Sequence, residues 1–171
     1  MKKLIALVLS LLAVASLLAG CGSGKGTTVN SGEKSVTFSL LSSPASLDPA
    51  TTTDGSALMV ETQLFSMLVE SKGGNSSEIK PDIAESWEIS EDGLTYTFKL
   101  RDDVYFHNGK LLTADDVVYT FNRVMTEPYT SYYAAPIKSV EATDEHTFVA
   151  HLNYPFADFL TLTGSIYFGI C

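Results

Sequence analysis

The chain has 171 residues, 45% of them hydrophobic and 18% charged, with 20 acidic side chains against 11 basic ones. That length is enough for one domain, or a little more, with a real core. A surplus of carboxylates repels phosphate backbones, so the charge balance speaks against a nucleic-acid partner.

Met1-Lys2-Lys3 is a short basic start, and residues 4–18 then run almost purely apolar, broken only by Ser10 and Ser16. The run is short for a bilayer span, which takes about 20 residues, and long for the apolar region of a signal peptide. It ends in Leu17-Leu18-Ala19-Gly20-Cys21, which resembles the lipobox of bacterial lipoproteins. The resemblance implies a signal peptide over 1–20, cleavage before Cys21, a diacylglycerol on its thiol and acylation of the new N-terminus. Two or more acyl chains anchor stably where one does not. An uncleaved membrane helix and an ordinary secretory signal are the alternatives; length, basic start and small-residue ending together favour the lipoprotein. Losing Lys2 and Lys3 leaves nine basic against twenty acidic residues, a net of −11. Cys21 and Cys171 are the only cysteines, which is no disulfide framework.

Residues 21–34 are small and polar and read as a flexible tether. Gly24-Lys25 is not a phosphate loop, because Gly26 stands where the hydroxyl residue belongs and no strand precedes it. Ser35 to Leu41 alternates and is predicted to open the fold as a strand. Loop follows over 42–56, with Pro44, Asp48-Pro49 and Asp54-Gly55. Asp54 is placed to cap a helix from about Ser56 to Val69, with Leu58, Leu64, Phe65 and Leu68 on one face and Glu61 and Gln63 pointing elsewhere. Lys72 to Ser77 is a glycine-and-serine break. A hairpin comes next: Ile83 to Ser90, the turn Glu91-Asp92-Gly93, then Leu94, Tyr96, Phe98 and Leu100 alternating with polar residues. Val104 to Phe106 is predicted as a short strand ahead of a tight Asn108-Gly109 turn. Thr113 with Asp116 forms a capping-box pattern for a helix that ends near Glu127-Pro128. After a tyrosine-rich loop, Tyr129 to Tyr133, two more strands are expected at Ile137 to Ala142 and Thr147 to Leu152. A further helix is expected from Pro155. The chain stops in an apolar run at Ile170-Cys171, an ending expected of a truncated sequence.

From Pro81 to Tyr119 the text strongly resembles the extracytoplasmic solute-binding protein family 5, the oligopeptide-, dipeptide- and nickel-binding proteins of ABC importers. The resemblance is carried by Ala84-x-x-Trp87, Asp92-Gly93-x-x-Tyr96-x-Phe98-x-Leu100-Arg101, Val104-x-Phe106-His107-Asn108-Gly109 and Thr113-Ala114-x-Asp116-Val117. Ser46-Leu47-Asp48-Pro49 upstream, and Asp144 to Phe148 and Pro155-Phe156 downstream, keep the same register. It implies an α/β fold of the two-lobed, periplasmic-binding-protein-like type II, with an extra α+β subdomain on the first lobe. Residues 35–80 would then be the start of lobe one, and 81–171 the extra subdomain, truncated at its C-terminal end. The implied function is capture of a small solute, short peptides foremost, outside the cytoplasm, and delivery to the permease subunits of an ABC importer. The lipid would hold the protein to the outer face of the cytoplasmic membrane, or the periplasmic side in a two-membrane cell, with no cofactor. Other readings are a truncated, non-functional surface lipoprotein, a binder of nickel or another solute, and an exported enzyme. Against the enzyme, the sequence has no Gly-x-Ser-x-Gly, no His-Glu-x-x-His and no cysteine–histidine pair outside the anchor.

By the same resemblance the ligand-binding residues fall on Thr53, Asp54, Gly55 and Ser56, in a loop that offers backbone groups to an extended peptide. Asp54-Gly55 is equally a plain helix cap and turn, and both roles can hold together. Trp87, the one tryptophan, is expected to pack rather than to stack a ligand. His107, His146 and His151 share no helix face and no i, i+4 spacing, so no metal site is expected. Asp102-Asp103 and Asp115-Asp116 read as turn and helix-start residues, and Tyr129, Tyr132 and Tyr133 as a loop packed on its own subdomain.

Overall fold

The computed structural model describes residues 36–71 and 78–171. The expected signal peptide, Cys21, the tether, Gly24-Lys25 and the 72–77 break therefore lie outside the described residues. The chain divides into two units, Met1–Ser39 and Leu40–Cys171. In the first, residues 36–39 have no regular structure, and Val36 is 90% exposed. In the second, Leu41 is exposed at a bend. The expected strand from Ser35 to Leu41 thus does not form over 36–41. Alternation makes a strand only when a neighbour supplies the ladder, and none does so among the described residues.

The second unit starts with a loop and a short helix, α1 (Gly55–Glu61). Asp54 caps it as expected, its Oδ2 accepting from the Ala57 N–H at 3.2 Å. The helix ends far short of Val69. A turn over 62–64 leads instead to β1 (Val69–Ser71), which pairs antiparallel with β2 (Ile79–Pro81). Helical periodicity loses to tertiary pairing: the carbonyls of Met67 and Leu68 accept from the N–H groups of Ile83 and Ala84, and Leu68 and Val69 become fully buried.

A four-stranded antiparallel sheet follows, built from β3 (Ala84–Ile89), β4 (Thr95–Leu100), β5 (Ile137–Asp144) and β6 (Thr147–Leu152) in the order β3-β4-β6-β5. The β3–β4 turn holds Gly93 at φ 68°, where Asp92 Oδ1 takes the Leu94 N–H at 3.0 Å. Register puts Phe98 opposite both Trp87 and Phe148, so these share the inner face, while Thr97, Glu88 and Glu141 lie on the outer one. The second helix, α2 (Ala114–Thr126), packs on β5 and β6 and buries Val117, Phe121 and Val124. Phe121 joins Phe148 (ring centroids 4.7 Å apart) to Phe168 (4.8 Å), so a chain of buried phenylalanines runs from sheet through helix to the end of the chain. Between β4 and α2 the expected strand at Val104 to Phe106 shrinks to one bridge, Tyr105 to Leu111, closed by Phe106 N–H donating to the Lys110 carbonyl at 2.9 Å. The last helix, α3 (Phe159–Thr163), starts later than Pro155, because the preceding residues turn under Tyr96, whose hydroxyl reaches the Phe156 carbonyl. Ile170 then donates to the Ser66 carbonyl at 3.0 Å.

Candidate functional site

The opening loop, residues 42–54, is held by its own short polar side chains. The Ser46 hydroxyl accepts from the Asp48 N–H at 3.1 Å, and Asp48 Oδ1 from the Ala50 N–H at 3.2 Å. The Asp48 carbonyl takes the Thr51 N–H at 3.0 Å, and Thr52 Oγ1 takes the Asp54 N–H at 3.2 Å. Such side-chain-to-backbone bonds are what Asp, Ser and Thr offer in place of a ladder. The four predicted ligand residues follow directly. Thr53 and Gly55 are exposed, Asp54 is half-buried as the cap, and Ser56 is buried with its hydroxyl 3.0 Å from that of Ser42. Nothing lies within 4 Å of the point where a Cβ on Gly55 would sit. The N–H groups of Gly55 and Ser56 belong to the first helical turn, where the helix's own ladder supplies no acceptor. The arrangement can therefore present main-chain donors from a rigid corner.

Two contacts tie this corner to distant chain. The Arg123 guanidinium on α2 donates to Asp48 Oδ2 in a half-buried ion pair, and the fully buried Thr130 hydroxyl donates to the Ala50 carbonyl at 2.7 Å. The Asp48 carboxylate raises the pKa of Arg123 further above its ordinary value, so the cation stays charged. Neither Arg123 nor Thr130 stood out in the sequence. An arginine near the C-terminal end of a helix reads as ordinary surface charge.

Glu61 is a third residue the sequence hid. Expected only to point away from the apolar face, it is fully buried, and neither carboxylate oxygen has a hydrogen-bond partner. Desolvation, with Asp48 and Asp54 adding like charge, holds its carboxyl above the usual carboxylate range. Gln63 and Leu64 are exposed, the latter against the expected apolar face, because α1 has already ended.

The remaining candidates are scattered. Trp87 packs against the core. His151 lies between Glu141 (Nε2 to Oε1, 3.0 Å) and the Thr95 hydroxyl (Nδ1, 3.3 Å) on the outer face of the sheet. His107 is exposed, at the rim of a concavity of about 470 Å³ lined also by Phe65, Ile83, Leu112 and Ile170; none of the residues 53–56 reaches it. Among the described residues no group of three or more His, Cys, Asp or Glu is placed to hold a metal ion. Asp103 pairs with Arg101 at 2.9 and 3.0 Å, and Asp116 belongs to the start of α2. Tyr133 stacks on Tyr167, centroids 4.2 Å apart, with Tyr132 beside it and Tyr129 exposed.

Residues 78–170, more than half the chain, match the family described as bacterial extracellular solute-binding proteins, family 5 Middle, and the chain belongs to that family. It is 38% identical to heme-binding protein A of Haemophilus influenzae, over 74% of this chain and 27% of that protein. It is 34% identical to di/tripeptide-binding protein 1 of Pseudomonas aeruginosa, over 69% of this chain and 26% of that protein. The fold is similar to the periplasmic binding protein DppA from Helicobacter pylori solved with the peptide STSA. That likeness has a TM-score of 0.65 and 38% identity, and covers 72% of this chain and 28% of the other. The chain thus spans about a quarter of the length of its relatives and carries part of their mixed helix-and-sheet fold.

Proposed function

We propose that this chain is part of a solute-binding lipoprotein of an ABC importer, which captures short peptides outside the cytoplasm and hands them to the permease. Residues 35–80 would contribute to the start of the first lobe and 81–171 to its extra subdomain. The observation that carries the peptide reading is the 38% identity to a binding protein solved with a bound tetrapeptide. The corner at Thr53–Ser56 agrees with it, since Thr53 and Gly55 are exposed beside a capped helix, where their main chain suits the N–H and C=O groups of an extended peptide. No catalytic group is needed, because capture followed by delivery breaks no bond. Cys21 would carry the lipid that keeps the protein near its permease.

Thermal-shift titration of the full chain with di- to tetrapeptides, heme and nickel–histidine tests the ligand. Peptides are expected to raise Tm in a concentration-dependent way, by mass action on the folded state. A response to heme or nickel–histidine with none to peptides overturns the peptide reading. The anchor is tested separately: Cys21→Ser is expected to move the protein from the membrane fraction to the soluble extracytoplasmic one.

A further inference from the structure

We infer that Asp48, Arg123 and Thr130 are positioning residues for the ligand corner, holding Thr53–Ser56 in place from α2 and from the turn that follows it. The bonds inside the opening loop link residues two to five apart, so they set its shape but not its place on the molecule. Beside the packing of Ala50 in the core, place comes from two polar contacts that span 75 and 80 residues, Arg123 to Asp48 and Thr130 to Ala50. Both land just upstream of Thr53. Asp48 serves twice, because one carboxylate oxygen shapes the turn through the Ala50 N–H while the other takes the guanidinium. The arginine therefore orients the same group that sets the loop's geometry. The second tie is sealed from water: Thr130 is fully buried and Ala50 is 4% exposed, so losing the hydroxyl leaves a buried carbonyl without a donor. Arg123 is itself steadied, with Glu127 Oε1 at 4.0 Å and Cys171 Sγ accepting at 3.8 Å. A site that recognises a ligand through its own backbone has no side-chain freedom to absorb a displacement. Its affinity depends on supports of this kind.

The role in binding rests on the proposed reading of Thr53–Ser56; the hold on the loop does not. The test is hydrogen exchange on the full chain, with peptide affinity measured beside it, for Arg123→Ala, Arg123→Lys and Thr130→Val. Arg123→Ala is expected to speed exchange of the amides over 50–58 by roughly tenfold or more, while β3, β4 and β6 keep their protection. Arg123→Lys is expected to recover part of the loss, as a charge without the planar fork. For a peptide that stabilises the wild-type chain, Kd rises about tenfold with little change in ligand-free Tm. If Arg123→Ala does not fold, Arg123→Lys and Thr130→Val carry the same comparison. Unchanged exchange over 50–58 in the variants that fold, or acceleration spread evenly over the sheet, overturns the inference. A whole protein that binds no peptide refutes the functional reading, and the exchange pattern still decides the hold.

Discussion

Glu61 and Asp116 are both acidic residues of short α-helical segments, and their surroundings send them in opposite directions. Glu61 is fully buried without a donor, and desolvation followed by the charges of Asp48 and Asp54 raises its pKa. As pH rises from about 4, the unfolded chain releases this proton before the folded one does. Stability therefore falls across the window from the ordinary carboxylate pKa up to the raised one. Glu61→Gln removes that penalty. It is expected to stabilise the chain at pH 7, with the gain fading as pH falls toward 4. Urea denaturation of both proteins at pH 4 and pH 7 measures it. An equal difference at the two pH values would show that charge is not what Glu61 costs.

Asp116 shows what makes an element readable in advance. Its Oδ2 accepts both the N–H and the hydroxyl of Thr113 at 3.0 Å, and Oδ1 meets Lys110 Nζ at 2.6 Å. Burial pushes its pKa up, but the bonds from Lys110 and Thr113 outweigh that and leave it lowered. The sign is the reverse of that for Glu61: the stabilisation is present above the ordinary carboxylate pKa and is lost as pH falls through the depressed one. Asp116→Ala is expected to cost about 0.5–2 kcal/mol at pH 7. The difference from wild type is expected to shrink at pH 2–3, by urea midpoint, where the wild-type carboxyl is protonated too. Every partner of this cap lies within six residues, which is why α2 and its boundary near Glu127 were legible in the sequence. The β3–β4 and β5–β6 hairpins were legible for the same reason, since a turn and alternation are local signals. The region before β1 was not. Residues 56–69 carry apolar side chains at helical spacing, Leu58, Leu64, Phe65 and Leu68, yet Leu68 and Val69 are claimed by strands that begin ten or more residues later. The same limit hid the site's supports. Asp54 could be read as a cap from its neighbours, while Arg123, Thr130 and the burial of Glu61 depend on residues far away in sequence.

Over the described unit as a whole, one aromatic core ties these elements together, and its centre is Phe148. Fully buried on β6, it touches Phe98 on β4, centroids 5.9 Å apart, and Phe121 on α2 at 4.7 Å, and Phe121 in turn meets Phe168. Ala50 and Leu68, from the opening loop and the approach to β1, belong to the same cluster. Damage at Phe148 should therefore reach the corner at Thr53–Ser56 through this shared core. Truncating a buried phenylalanine removes its transfer energy and leaves a cavity, about 3–5 kcal/mol together. Domain stability is roughly 5–15 kcal/mol, so the loss takes a large share of the whole. Phe148→Ala is expected to shift the urea midpoint steeply downward and to lower the protection of the 50–58 amides along with that of the sheet. Tyr154→Ala, at a position 48% exposed, is the contrasting case, expected to stay within about 0.5 kcal/mol of wild type. The pattern of loss separates this effect from that of Arg123→Ala. The core variant lowers protection everywhere, and the positioning variant lowers it only at the corner. Should Phe148→Ala weaken the sheet and leave 50–58 untouched, the opening loop would not share its core, and its hold on the molecule would rest on Arg123 and Thr130 alone.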